Sequence, residues 1–403
     1  MQVRGNAAFA LGQLADPRAV PFLIQALKDE DVEVRGNAAF SLGKVGSPLA
    51  ISALLVTLKD ENSEVSRLAA IALGRIGNQT TVPALVKLLH DRDWKVRRNV
   101  AIILGQIGDP LAVAHLIKAL QDEKWGEREI IAVALGQIDD PIAVPTLIQA
   151  LADDEWSVRE NAALALGKIG EPSAVPALID MLARQDKQLY MNTTIALGQI
   201  GDPVAVDALM KMLKHNDPNV RELAANALGQ IGSPAIPALI MVAKHENEDI
   251  RQSVIMALGQ IRDATVVPIL VQALDDKHQK TRIQATFFLG EMGDPLAVPD
   301  LIRVLDDQNT QVHINAIVAL GRIGESAKEA IPYLTKVLDL ADERSYINAV
   351  WALTQMGEPA TSALIIALNH NNEKVSRRAA TALEKIGTPE AILALQEYRK
   401  KPL

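Results

Sequence analysis

The sequence predicts an all-α solenoid, and three observations carry that prediction. A Leu-Gly dipeptide returns almost every 31 residues along the 403-residue chain, from Leu11-Gly12, Leu42-Gly43 and Leu73-Gly74 through to Leu320-Gly321, before weakening to Leu353-Thr354 and Leu383-Glu384. Departures from that spacing fall in one place in the unit: one residue is lost after Gly232, one is lost after Gly357, and two are gained after Gly324. Surface turns tolerate such changes and packed helices do not, so the flanking segments read as helices of fixed length. Hydrophobic residues make up 49% of the chain and aromatic ones only 3%, which implies a core of thin, close-set layers of Ala, Leu, Ile and Val. About 13 copies fill residues 1–403 as a single array. An array of this kind presents one long surface, so function is sought in what varies along it.

Residues 202–232 serve as the type unit. Asp202 followed by Pro203 starts helix A, because Asp accepts a backbone N–H and Pro loses nothing at the first helical position. Val206, Leu209, Met210 and Leu213 then recur at helical spacing until His215-Asn216 breaks the pattern. Asp217-Pro218 starts helix B by the same chemistry, and the cap position holds Asp or Asn at Asp31, Asn62, Asp93, Asp186, Asp217, Asn247, Asn309, Asp342 and Asn372. Val220, Ala224, Leu228 and Ile231 form one stripe, and Gly232 is expected to end the helix in the left-handed conformation. Paired alanines, as in Ala38-Ala39 and Ala224-Ala225, let neighbouring B helices approach to roughly 8–10 Å.

The chain begins inside a helix B, with no helix A before it to cover Val3, Ala7 and Leu11. That arrangement leaves room for an upstream segment or for another subunit packed on the open end. At the other terminus, residues 389–403 carry Glu390, Gln396, Glu397, Arg399, Lys400 and Lys401 and read as a polar capping helix.

Composition narrows the function classes. There is no cysteine, which excludes structural disulfides, thiolate metal sites and a cysteine nucleophile. A net charge of −8 argues against broad phosphate-backbone binding, so no nucleic-acid partner is expected. No apolar run approaches the ~20 residues that span a bilayer, so no membrane partner is expected and the protein is placed in the cytoplasm. There is no GxSxG elbow, no phosphate loop and no GxGxxG. The seven histidines are scattered without metal-ligand spacing. No catalytic residue, metal or cofactor is assigned.

The unit resembles the short HEAT-like repeats of phycobilin lyases and related proteins, most closely at Asp16-Pro17-Arg18-Ala19-Val20-Pro21 and Val34-Arg35-Gly36-Asn37-Ala38-Ala39. The resemblance runs the length of the chain. It implies a right-handed α–α superhelix with B helices lining the concave face. HEAT-like hydroxylases use His-Glu pairs on their B helices to hold two irons; the only such dipeptide here, His245-Glu246, lies near the end of a helix A, which speaks against a di-iron site.

Four sets of residues single themselves out on helix B. Five after the recurring arginine, about 240° round the helix from the valine before it, stand Phe9, Phe40, Ile71, Ile102, Val133, Leu164, Ile195, Met256, Phe287, Val318 and Trp351, with Asn226 and Thr381 as exceptions. Either curvature buries this row or it forms a partner-binding stripe, for which Phe9, Phe40, Ile71, Ile102, Leu164, Met256, Phe287 and Trp351 are the candidates; the burial of Phe40, Phe287 and Trp351 decides. One after the arginine, charge falls in blocks of sign: Arg67 and Arg98, then Glu129, Glu160 and Glu222, then Arg377, either a solvated face or a match for a charged partner. Trp94, Trp125 and Trp156 share the first turn of three successive B helices, as packing between turns or as a binding edge. The arginine itself, at Arg4, Arg35, Arg97, Arg128, Arg159, Arg221, Arg251 and Arg282, reads as structural, paired with acids of neighbouring turns, and Tyr190, His313 and Tyr346 interrupt it.

The preferred reading is a non-catalytic interaction scaffold that binds a protein partner in its groove. The alternative is a lyase-like or chaperone-like factor that handles a tetrapyrrole or its acceptor protein, with Arg67, Arg98 and Arg377 available to an anionic ligand.

Overall fold

Aspartates and asparagines at the predicted caps do start the B helices. In the computed structural model, which describes residues 2–122, 126–184 and 189–400, the side chains of Asp31, Asn62, Asp93, Asp217, Asn247, Asn309, Asp342 and Asn372 each accept a backbone N–H two or three residues on. Asp186 lies outside the described residues. Each of these residues sits in extended backbone, as an N-cap must. B helices such as Val32–Val45, Ser63–Ile76 and Glu248–Ile261 follow. Among the described residues, all regular structure is α-helix or 3₁₀ turn, with no strand.

Helix A departs from its prediction at the start. The Asp-Pro step caps a 3₁₀ turn, as in Pro17–Ala19, where Asp16 accepts from Arg18 N–H; the α-helix proper, Val20–Ala26, begins three residues later. The same division recurs at Pro203–Ala205 and Val206–Met212.

The glycine after helix B is not one conformation. Gly46, Gly108 and Gly170 are left-handed as expected. Gly232 instead pairs φ 82° with ψ −145°, and Gly324 and Gly357 do nearly the same at φ 68° with ψ −134° and −136°. These three stand at the three indels. Changing the turn length redirects the chain into a region that only glycine enters without strain.

Packing divides the chain into two compact units, Met1–Ala205 and Val206–Leu403. Within each, every B helix packs on the next B helix and on the helix A that precedes it in its own repeat where one is present, giving a two-layer stack. The core residues of the type unit, Val206, Leu209, Met210, Leu213, Val220, Ala224, Leu228 and Ile231, are all buried. The glycine of the Leu-Gly pair has a separate cause: a Cβ on Gly167 would lie 2.6 Å from Ala196 Cα, and one on Gly136 2.8 Å from Ala165 Cα. Leucine fills the core while glycine admits the backbone of the next B helix. At the start of the first unit, Val3 and Ala7 are exposed while Ala8 and Gly12 are covered by the next B helix. The last helix, Pro389–Lys400, buries Ala391 and Leu395, yet it leaves Ile392 and Leu393 exposed and is less polar outward than its charges suggest.

Candidate functional site

The recurring arginine knits one repeat to the next. Arg35, Arg251 and Arg282 each send Nη1 to two carbonyls of their own A–B turn, and Nε with Nη2 to the aspartate 25 residues on, Asp60, Asp276 and Asp307, at 2.6–3.1 Å. Each aspartate also takes a backbone N–H two residues further along, from Asn62, His278 and Asn309. Burial pushes the carboxyls of Asp276 and Asp307 up, but the guanidinium and the backbone N–H outweigh it and hold both below the usual range. The ladder is structural, as its periodicity implied. Arg97 reaches Glu127 and Arg221 reaches Asp249.

Where the arginine is replaced, shorter donors serve the A–B turn. Ser376 Oγ donates to His370 O at 3.0 Å, the carbonyl six residues back that an arginine would take, whereas Ser66 Oγ and His313 Nδ1 reach a carbonyl two residues earlier, Leu58 O at 2.7 Å and Leu305 O at 2.5 Å. At Tyr346 the substitute comes from the following repeat. Arg378 Nη1 donates to the carbonyls of Leu338 and Leu340 (2.5 and 2.9 Å), and its guanidinium lies 3.4 Å from the centroid of the Tyr346 ring. Sequence reasoning missed this contact, although two coupled departures signal it: Tyr346 stands in the arginine position, and Arg378 stands where Asn6, Asn37, Asn99 and Asn161 recur.

The apolar stripe is not buried. Phe40, Ile71, Ile102, Leu164, Met256 and Trp351 are half-buried, while Phe9 and Phe287 are 43% and 46% exposed. In the first unit Phe9 stacks on Phe40, with centroids 6.1 Å apart and planes at 12°. In the second, Phe287 meets Phe288 edge to face at 5.3 Å. Each stripe residue thus packs on one side and meets solvent on the other.

Most of the charge blocks spend themselves locally. Arg67 pairs with Glu64 on its own helix (2.6 Å), and Arg377 with Glu373. Glu129 accepts from Ser157 Oγ (3.0 Å) and Glu160 from Asn192 Nδ2 (2.5 Å). Arg98 and Glu222 are exposed, with no ion-pair partner among the described residues. The recurring asparagine takes three roles: Asn37 and Asn315 donate to carbonyls of the preceding B helix, at Gly5 and Ile283, Asn99 and Asn192 donate to side chains of that helix, at Ser66 and Glu160, and Asn161 and Asn348 bond within their own helix.

Trp94 and Trp156 open their B helices and are 50% and 52% exposed. Trp125 lies outside the described residues.

The second unit also holds a cavity of about 510 Å³, open to solvent, between the B helices Thr310–Ile323, Glu343–Met356 and Glu373–Ile386. Val318, Ile347 and Trp351 give it an apolar wall, and Arg378 and Lys385 stand on its rim. The glycine of the repeat makes room for the Trp351 ring that walls it, since a Cβ on Gly321 would lie 2.5 Å from Trp351 Cζ3. Among the described residues, no group of three or more histidine, aspartate or glutamate side chains could hold a metal ion. None of the described helices is by itself long and apolar enough to cross a membrane.

The profile of the HEAT repeats matches residues 2–65, 51–134, 113–192, 182–253, 233–286, 267–346 and 331–402. Yeast importin-beta is similar in structure at TM-score 0.65 and 15% identity, over 94% of this chain and 65% of that one. A second structure of the yeast protein, with RanGDP, gives TM-score 0.57 and 14% identity, over 94% and 64%. The chain therefore spans about two thirds of the importin chains it matches. A phycocyanin lyase complex from Nostoc shares 28% identity over 55% of this chain and 92% of that one, at TM-score 0.36. A search of curated proteins returned no match.

Proposed function

This chain belongs to the HEAT repeat family along nearly its whole length, and on that premise we propose that it is a non-catalytic scaffold whose B-helix face holds a protein partner. One observation carries the reading: within each unit the stripe position is apolar in successive repeats while remaining half-exposed or exposed, as at Phe9, Phe40 and Ile71 in the first and Met256, Phe287 and Trp351 in the second. Isolated exposed apolar residues are ordinary, but a contiguous row marks an interaction surface. The importin-beta likeness supports the fold on which such a face is built, and that protein binds RanGDP.

Placing a photo-crosslinking residue at Phe287 and, separately, at Met241, which is exposed on a helix A, tests the reading in cells. Discrete protein adducts from position 287, absent from 241 and abolished when Met256 of the same unit is changed to Asp, are expected. Equal labelling from both positions sinks it. The tetrapyrrole alternative draws no support from the phycocyanin lyase likeness, whose TM-score of 0.36 carries no argument.

A further inference from the structure

The Trp351 cavity differs from the other cavities in its electrostatics. Those beside Arg128 and Arg251 lie along the ladder, where each arginine already meets its aspartate at 2.6–2.9 Å. The Trp351 cavity has no carboxylate in its lining, whereas Arg322, Arg378 and Lys385 all border it, in a chain whose net charge is −8. Arg322 shares Glu291 with Arg262, and Arg378 is committed to the Leu338 and Leu340 carbonyls. Lys385 is exposed and makes no ion pair among the described residues. The cationic rim therefore keeps at least one unmatched charge.

The floor suits a large apolar side chain. Ile347 is 51% exposed, Trp351 is half-buried, and Val318 continues the same wall from the preceding repeat. The Tyr346 ring, capped by the Arg378 guanidinium, cannot swing into the opening without losing that stack. A volume of about 510 Å³ lies within the ordinary range for a ligand-sized site, roughly 300–1,000 Å³. Apolar walls supply affinity, and a one-signed rim selects the sign of what enters.

We propose that this cavity is an anchor pocket for an acidic peptide segment of a protein partner, taking one aromatic side chain against Trp351 and Ile347 while flanking carboxylates meet Lys385 and its cationic neighbours. The inference rests on the scaffold reading and sharpens it by naming the chemistry of the segment bound. Neutralising carboxylates near an exposed lysine is screened by salt, so binding weakens as ionic strength rises.

The test uses the full chain labelled with 5-fluorotryptophan, in which the Trp351 resonance is assigned by W351F. The probe is an acetylated, amidated peptide, Glu-Asp-Phe-Glu-Glu. A saturable shift of the Trp351 resonance is expected, with Trp94 unmoved. Replacing the peptide's Phe by Gly should weaken binding at least about tenfold, as loss of a buried aromatic anchor does. K385E, at an exposed site, should also weaken it several-fold without changing the melting temperature. The proposal is overturned if Trp351 does not respond, if Lys-Lys-Phe-Lys-Lys binds as well, or if K385E binds as tightly as the parent. Failure here with position-specific crosslinking intact at Phe287 removes the pocket alone; loss of that crosslinking removes the scaffold reading itself.

Discussion

Arg251 and Asp276 meet side by side, Nε to Oδ2 at 2.6 Å and Nη2 to Oδ1 at 2.9 Å, with both side chains nearly buried. The pair joins two successive repeats, and Arg251 also satisfies two turn carbonyls. Removing the guanidinium leaves a buried carboxylate and two carbonyls short of partners. R251A should therefore destabilise by about 3 kcal/mol, the lower end for breaking a buried pair. Arg4 makes the same contacts to Asp29 with its side chain half exposed, so R4A should leave the melting curve unchanged. Denaturant unfolding of the two variants checks the contrast.

The same pairs set the acid response. Burial raises the carboxyls of Asp153, Asp276 and Asp307, yet their arginines and backbone N–H groups pull each one lower than its ordinary 3.8. A folded-state value below the unfolded one means stability that is fully present above the unfolded value and lost as pH falls through the folded one. These groups should contribute nothing to any change between pH 8 and 5. Below about pH 4 their share should fall away, and D276N should start less stable at pH 7 but lose less on acidification. Melting temperatures measured across that range decide it.

Close approach explains the Leu-Gly glycine in a way that substitution can test. G167A places a methyl 2.6 Å from Ala196 Cα, on backbone that cannot step aside. A loss of about 1–3 kcal/mol is expected, as for overpacking generally. G5A meets nothing nearer than 3.4 Å in the same kind of helix. There alanine's better helix propensity should make the change neutral or stabilising by up to ~1 kcal/mol.

The two kinds of terminal glycine should respond differently to asparagine. Gly46 is left-handed at φ 72°, ψ 18°, a region that asparagine enters at little cost. Gly357, at φ 68°, ψ −136°, occupies one that is essentially closed to side chains, at a cost of about 1–3 kcal/mol. G357N should therefore lower the melting temperature well below that of G46N. Equal effects would mean that the turn at the deletion relaxes.

Much of the fold was legible because it is local. A cap needs only Asp31 and the N–H of Glu33 two residues on, and the core needs only helical spacing, as at Val220, Ala224 and Leu228. The left-handed ending assigned to Gly232 failed because φ and ψ there depend on how far the next helix lies, and the lost residue alters that distance. The stripe could be found from sequence, but its exposure could not, since that depends on how closely Phe9 and Phe40 stack. The Trp351 cavity was hidden for the same reason. Its walls come from three repeats, and the arginine on its rim does work that its own position in the unit does not predict.

That borrowed arginine changes what counts as a module at this end of the chain. The copies that hold Arg35, Arg97, Arg159, Arg221, Arg251 and Arg282 each carry their own donor for their own turn, so each could be duplicated or excised as one piece. The turn at Leu338–Leu340 depends on Arg378 from the copy after it, so cutting between them strands carbonyls on one side and a guanidinium on the other. Here the smallest portable segment is a pair of repeats, and any shuffling of the array has to move the two together.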